Sequence, residues 1–309
     1  MDPIGPGPNP LYDPAYPGGV RAKKTDAGLP PTALDQRIGY FRDAFRRDPA
    51  FEVLHFLPLY FPRAGRDELF TALKLLVRAD EGIPRAPSAN TQFGLAAIGS
   101  VLASTSQRNV LGEFVAALEE EWAIFLQQRW REAASGRDQT LASLQQSWTG
   151  VYGPALAPFL EEVGMSGGMV AIVPAIGVDG RVFGGSPDDK GDNVLVVSAP
   201  VQPDQGREAV YSMLREISFP MVRKVIDGTG YTAANRGDSE ALASRAAIRS
   251  GALILERYLP EELMEYQRFF LTQAGRSAPA GAGTETAFRE VFPLDQALEQ
   301  ALRKEIITK

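Results

Sequence analysis

The residues that bear most directly on chemistry lie in a helix predicted over 207–226. This segment contains Glu216, flanked by Arg215 and Phe219. Positions i and i+4 of a helix share one face, so Arg215 and Phe219 stand where two metal ligands would bracket a glutamate acting as general base. Arginine stays protonated and repels a cation, and phenylalanine has no ligand atom. The helix therefore carries the acid of a hydrolytic metal site without its two neighbouring ligands.

The elements before this helix occur in a specific order. β-Branched runs over 169–176 and 193–199 predict strands, and a turn-containing segment over 178–183 and a polar loop lie between them. This order of strand, loop, strand and helix resembles the zincin-like metallopeptidases of the gluzincin branch. In that family an edge strand lies along the substrate cleft and precedes the helix with the pattern His-Glu-x-x-His. Only Glu216 of this chain matches the pattern.

The resemblance implies an inherited fold whose metal site has been lost. We therefore predict no metal and no cofactor, and we treat Arg215, Glu216 and Phe219 as a vestigial motif. The resemblance places the third ligand at Glu240 or Glu256, and Arg215 could pair with either acid and fill the former metal cavity. The alternative is an unrelated α+β scaffold, because the same helix also reads as an ordinary amphipathic helix with one apolar stripe.

Composition narrows the possible chemistry. The chain of 309 residues has no cysteine and one histidine, His55, which excludes disulfides, thiol nucleophiles and multi-histidine metal sites. The net charge of −6 gives no general basic field for nucleic acid. We find no transmembrane segment and no signal peptide, since apolar runs are short and the first residues lack a charged region. We predict a cytoplasmic protein, or one peripheral to a membrane complex.

Helical periodicity dominates the chain. Residues 32–166 are predicted as a helix-rich region, 167–276 as a zincin-like unit of sheet and helix, and 277–309 as a linker with a closing amphipathic helix. An aromatic and aliphatic run over 51–61 predicts an early strand. The predicted fold class is α+β, mostly helical, with a small sheet that precedes a zincin-like central helix.

Residues 1–31 begin with a segment rich in proline and glycine, which predicts an extended arm because proline fixes φ and removes backbone donors. One interpretation is a disordered tail, and the other is an arm that lies on a partner. A small basic cluster at the end of the first long helix is a second candidate for partner contact. The candidate partner-binding residues are Leu11, Tyr12, Tyr16, Arg42, Arg46 and Arg47.

These observations predict a non-catalytic scaffold or accessory subunit that binds a larger protein assembly. An extrinsic subunit of a membrane complex is one such role, since it needs an ordered arm and no chemistry. The alternatives are a hydrolase that uses carboxylates alone and a small-ligand-binding module in the vestigial cleft. An open cleft beside Glu216 would favour the alternatives, whereas a covered or arginine-paired Glu216 would favour the scaffold.

Overall fold

The structure of the protein is a computed structural model. It describes residues 16–61, 65–79, 82–86, 88–132, 134–173, 176, 180–183, 193–200, 202, 204–230, 236–281 and 283–308. The described residues are mostly helical with one small sheet, which confirms the predicted α+β class. The chain divides into two compact units, Met1–Ala134 and Ser135–Lys309, and each has its own apolar core.

The first unit is helical throughout its described elements. Its helices are α1 Tyr16–Asp26, α2 Ala33–Gln36, α3 Ile38–Arg47, α4 Arg66–Arg78, α5 Ala89–Val101, α6 Thr105–Glu121 and α7 Gln127–Glu132. A 3₁₀ segment, Pro49–Tyr60, follows α3, and a π-helical turn, Trp122–Leu126, joins α6 to α7. Ser104 caps α6, because its hydroxyl accepts from the Gln107 N–H at 3.2 Å while the Gln107 side chain accepts from the Ser104 N–H at 3.0 Å.

The extended arm predicted over 1–31 differs from the structure in its second half. Tyr16–Asp26 forms α1, and residues 1–15 lie outside the described residues. Pro17 falls in the first turn of α1, where a helix has no use for the missing N–H. Lys24, near the other end of α1, is buried and ion-paired, so tertiary contacts hold a segment whose composition predicts an extended chain.

The strand predicted over 51–61 is wrong, because this run lies in the 3₁₀ segment. Phe51, Leu54 and Leu57 are buried. Their spacing of three residues matches the turn of a 3₁₀ helix, and the neighbours Val53 and Leu54 are both buried, whereas a half-buried strand buries only alternate residues. The density of apolar side chains was a correct sign of burial but not of strand geometry.

The second unit contains the sheet. Its helices are α8 Ala134–Ser147, α9 Gly153–Glu162, α10 Gly206–Gly228, α11 Arg236–Tyr258, α12 Leu263–Gln273, α13 Gly283–Val291 and α14 Gln296–Arg303, and its strands are β1 Gly168–Val173, β2 Arg181–Phe183 and β3 Asn193–Ser198. Single π-helical turns follow α8 and α14, and a 3₁₀ turn precedes α12. None of the described helices is both long enough and apolar enough to cross a lipid bilayer.

Strand β3 lies in the middle of the sheet, whose order is β1-β3-β2. β1 runs parallel to β3 with Gly168 opposite Asn193, and β2 runs antiparallel to β3 with Arg181 opposite Val196. The strand that leads directly into α10 is therefore the central one, and β2 is the edge strand before it. The sheet packs against α10 through β3 and β2.

The boundary between the units differs from the predicted one. The sequence predicts one helix-rich region over 32–166 and a separate terminal segment over 277–309, but the structure divides the chain after Ala134. Leu156 of α9 and Leu298 of α14 belong to the same core as α10. Helical periodicity indicates which face of a helix is buried, but it does not indicate which partner covers that face.

Candidate functional site

The predicted vestigial motif lies in an enclosed part of α10. Every side chain from Ala209 to Ser218 is buried, because the sheet and α11 both pack on this helix. Arg215 and Glu216 are each 2% exposed, and Phe219 is half-buried. The structure thus brings the three motif residues together on one helix, where described residues bury Arg215 and Glu216.

The carboxylate of Glu216 is held by two donors. Its Oε1 accepts from the backbone N–H of Gly180 at 3.0 Å and from Nη1 of Arg215. Gly180 directly precedes β2, and a Cβ there would lie 2.6 Å from Cγ of Glu216 and 2.4 Å from the carbonyl oxygen of Val196. Glycine at 180 therefore lets the backbone approach closely enough to donate to the carboxylate.

Arg215 does not follow the predicted pairing. Its Nη1 binds the adjacent Glu216, and its Nη2 donates to Oγ of Ser244 on α11 at 2.9 Å. Glu240 pairs with Arg223 at 3.5 Å. Glu256 pairs with Arg303 at 3.0 Å near the surface, so the predicted pairing of Arg215 with Glu256 is wrong. The guanidinium lies between α10 and α11, where it contacts both Glu216 and Ser244.

This geometry forms a buried ion pair, in which described residues enclose the Glu216 carboxylate. A general base must come within hydrogen-bond distance of the proton that it removes, and the oxygen of Glu216 is already engaged inside the core. Within the described parts of the chain, His, Cys, Asp and Glu side chains form no group of three that could hold a metal ion. His55 lies in the 3₁₀ segment, and its side chain is outside the described residues.

The predicted partner-binding residues are only partly described. Leu11 and Tyr12 lie outside the described residues, and Tyr16 begins α1 with its side chain likewise undescribed. The basic cluster lies on α3, where Arg42 is half-buried while Arg46 and Arg47 are exposed. The structure therefore brings the basic residues to one helix, with two of them accessible for a partner.

Helix α5 presents an exposed surface that the sequence interpretation missed. Its inner face buries Leu95 and Ile98, and Gly94 lets it pack closely, since a Cβ there would lie 2.3 Å from the carbonyl oxygen of Tyr60. Phe93 on the outer face is 69% exposed. The α5 surface consists of Gln92, Phe93, Ala96, Ala97, Ser100 and Val101. The sequence could have indicated this surface, because a helix of 13 residues without a charged residue has no charged face to turn to solvent.

A buried cluster of charges in the first unit was also missed. Nζ of Lys24 donates to Asp35 and, at 2.8 Å, to Oε2 of Glu121, which also accepts from the Thr32 hydroxyl at 2.6 Å. Burial alone lowers the pKa of Lys24, but the hydrogen bonds to the two carboxylates outweigh it, so this pKa is raised. Burial alone raises the pKa of Asp35, but hydrogen bonds from Lys24 and Thr32 outweigh it, so this pKa is lowered. The cluster connects α1, α2 and α6.

Comparisons with known proteins leave the family open. No protein-family model, curated protein or solved structure matches the chain. The resemblance to zincin-like metallopeptidases therefore stays a prediction that rests on element order and on Glu216.

Proposed function

We propose that this protein is a non-catalytic accessory subunit that binds a larger protein assembly, and that the α5 surface is one of its contacts. The observation that carries the proposal is the exposure of Phe93, at 69%, on a helix without charge. Aromatic side chains that fill a pocket on a partner often contribute most of the binding energy of an interface.

The chemistry of the α5 surface indicates its partner. An ionised group buried against this surface would lose water and gain no opposite charge, so the partner must present an uncharged, apolar face. A helix of 13 residues is about 20 Å long and about 10 Å wide, so the α5 surface covers about 200 Å². A stable dimer buries about 800 Å² on each partner. The α5 surface therefore fits one contact within a larger interface better than self-association.

Two further observations support an accessory role. Glu216 is covered and paired with arginine, which favours a scaffold over a hydrolase that would use this acid. Arg46 and Arg47 are exposed on α3 and offer a separate polar contact. Residues Leu11, Tyr12 and Tyr16 remain proposed anchors, and an extrinsic subunit of a membrane complex remains the narrower form of this proposal.

The test is the substitution Phe93→Asp. The tagged wild-type protein is used to capture partners from its native cells, the partners are identified by mass spectrometry, and the complex is rebuilt from purified proteins. We expect Phe93→Asp to weaken the rebuilt complex by at least about tenfold, as for an interface hot spot, without lowering the melting temperature.

The matched control is Leu141→Asp, which changes another exposed apolar residue, 50% exposed, on α8. It should leave the affinity unchanged. Equal affinities of wild type and Phe93→Asp would reject the α5 surface as a contact. A wild-type dimer in sedimentation that becomes a monomer in Phe93→Asp would replace the proposal with self-association.

A further inference from the structure

A concave surface lies in the second unit, and neither Arg215 nor Glu216 lines it. This cleft has a volume of 220 Å³ and is lined by residues of α11, α12, α13 and α14. Leu253, Leu263 and Phe288 form its apolar part, and Arg249 and Gln267 are among its polar residues. We call it the Arg249 cleft. Its volume is below the roughly 300–1,000 Å³ of sites for drug-sized ligands, so it suits a smaller molecule.

Gln267 contributes to the Arg249 cleft a side-chain amide that makes no hydrogen bond to a described residue. The residue is 6% exposed, yet its side chain has no hydrogen-bond partner within the described part of the chain. The amide lines the cleft and is not among the buried side-chain atoms that lack a hydrogen-bond partner, so its polar atoms face the open space of the cleft. The amide is therefore available to a molecule bound in the cleft.

Arg249 contributes unused donors to the same cleft. It is 6% exposed, and Nη2 donates to Oε1 of Glu299 at 2.5 Å. A guanidinium carries five N–H donors, and the structure shows no other hydrogen bond from this one to a described residue. The guanidinium carbon lies 5.8 Å from the ring centroid of Phe288, which places charge directly beside the apolar part.

The acids of the cleft are already paired. Glu256 accepts from Arg303 at 3.0 Å, and Glu285 accepts from Arg289 at 2.8 Å. Glu299 is shared by Arg249 and Arg289, the latter at 2.9 Å. N–H groups of Arg249 and Gln267 therefore have no acceptor among the described residues. A ligand that pairs with them must supply acceptor oxygens.

We propose that the Arg249 cleft binds a small amphipathic carboxylate. Its carboxylate accepts hydrogen bonds from Arg249 and Gln267, and its apolar body lies on Leu253, Leu263 and Phe288. This site is independent of the α5 surface, since the two lie in different units of the chain.

The experiment measures binding of hexanoate and of hexanamide, which has the same shape without the charge, by calorimetry and NMR on the full chain. We expect hexanoate to bind more tightly, because the charge strengthens its hydrogen bonds to Arg249. Gln267→Leu should weaken hexanoate binding by about tenfold, since it removes one hydrogen bond to a charged group. Its melting temperature should stay close to that of the wild type, because the lost amide makes no hydrogen bond to a described residue.

Gln146→Leu on α8 is the control, since Gln146 is exposed and lies outside the cleft, and it should leave the affinity unchanged. If Gln267→Leu does not fold, Arg249→Lys replaces it; lysine keeps the charge with fewer donors and should also weaken hexanoate binding. The proposal is overturned by a wild type that does not bind hexanoate, by equal affinities for hexanoate and hexanamide, or by variants that bind as the wild type does.

Discussion

Arg215 and Glu216 stabilise each other inside the core of the second unit. Each is 2% exposed, so each would lose hydration without compensation if the other were absent. Gly180 adds a backbone donor to the acid, and Ser244 adds an acceptor for the arginine. The pair therefore depends on both of its members, and removal of one is the informative change.

We expect Arg215→Met to lower the free energy of unfolding by about 3–5 kcal/mol, because it leaves the buried Glu216 carboxylate without its adjacent cation. Urea unfolding followed by circular dichroism measures the change. The double variant Arg215→Met, Glu216→Gln should recover part of the loss, since the uncompensated charge is then gone.

The control is Arg268→Met, which breaks a pair with Glu265 that is 2.6 Å long but largely exposed. It should cost less than about 1 kcal/mol, as exposed ion pairs do. A loss for Arg215→Met as small as that for Arg268→Met would contradict the importance of the buried pair.

Among the elements, α1 depends on a single buried cation. Lys24 joins α1 to Asp35 of α2 and to Glu121 at the end of α6. α1 has only a small apolar face, because Pro17 is buried, Val20 is half-buried and Ala22 is exposed. The packing of α1 on the first unit therefore depends more on the charges of Lys24, Asp35 and Glu121 than on burial of apolar side chains.

The pKa directions set the pH dependence of this attachment. The lowered pKa of Asp35 means that its contribution is present above about pH 4 and is lost as pH falls through that value to the lower folded pKa. The raised pKa of Lys24 means that its contribution is present below about pH 10.4 and is lost as pH rises through the folded pKa. We expect the protection factors of α1 to hold between about pH 4 and 10, and to fall at more acidic and more alkaline pH.

In the same exchange measurement at neutral pH, Lys24→Met should speed exchange in α1 by at least about tenfold, since two carboxylates lose their cation. Lys23→Met, at the exposed neighbouring position, serves as its reference and should leave α1 protected. Equal protection in both variants would contradict the role given to Lys24.

Sequence patterns predicted the elements that depend on local signals. The β-branched runs over 169–176 and 193–199 coincide with β1 and β3, and the apolar stripe predicts α10. The run over 51–61 was misassigned because a high density of apolar residues predicts burial but not the period of the backbone. In the structure the neighbours Val53 and Leu54 are both buried in a 3₁₀ segment.

The candidate site was less predictable than its helix. Sequence reasoning paired Arg215 with a distant acid, because Glu240 and Glu256 were the candidates for the third ligand of the former metal site. The Arg215 guanidinium nevertheless binds the carboxylate of the adjacent Glu216, on a helix that the sheet and α11 both cover. The Arg249 cleft draws on four helices whose neighbours no local pattern specifies.

The two units have separate cores, and the second core lies wholly within its own unit, from Leu144 to Ile306. We therefore expect a fragment of residues 135–309 to fold alone and to unfold cooperatively on heating. A fragment of residues 167–309, which starts at the boundary predicted from sequence, should not fold, because it lacks Tyr152, Leu156 and Phe159. Circular dichroism compares the two, and equal thermal stability would contradict this division of the chain.

The strand order of the sheet also determines when it can form during synthesis. β1 and β2 leave the ribosome first, but each is hydrogen-bonded to β3 and not to the other. Both must wait for Asn193–Ser198 to emerge, so no strand pair of the described sheet can form before β3 is made. The Gly180 donor to Glu216 stands at the start of β2, and α10 is translated after β3. The nascent chain therefore buries its charged pair late in translation, after every strand of the sheet has been made.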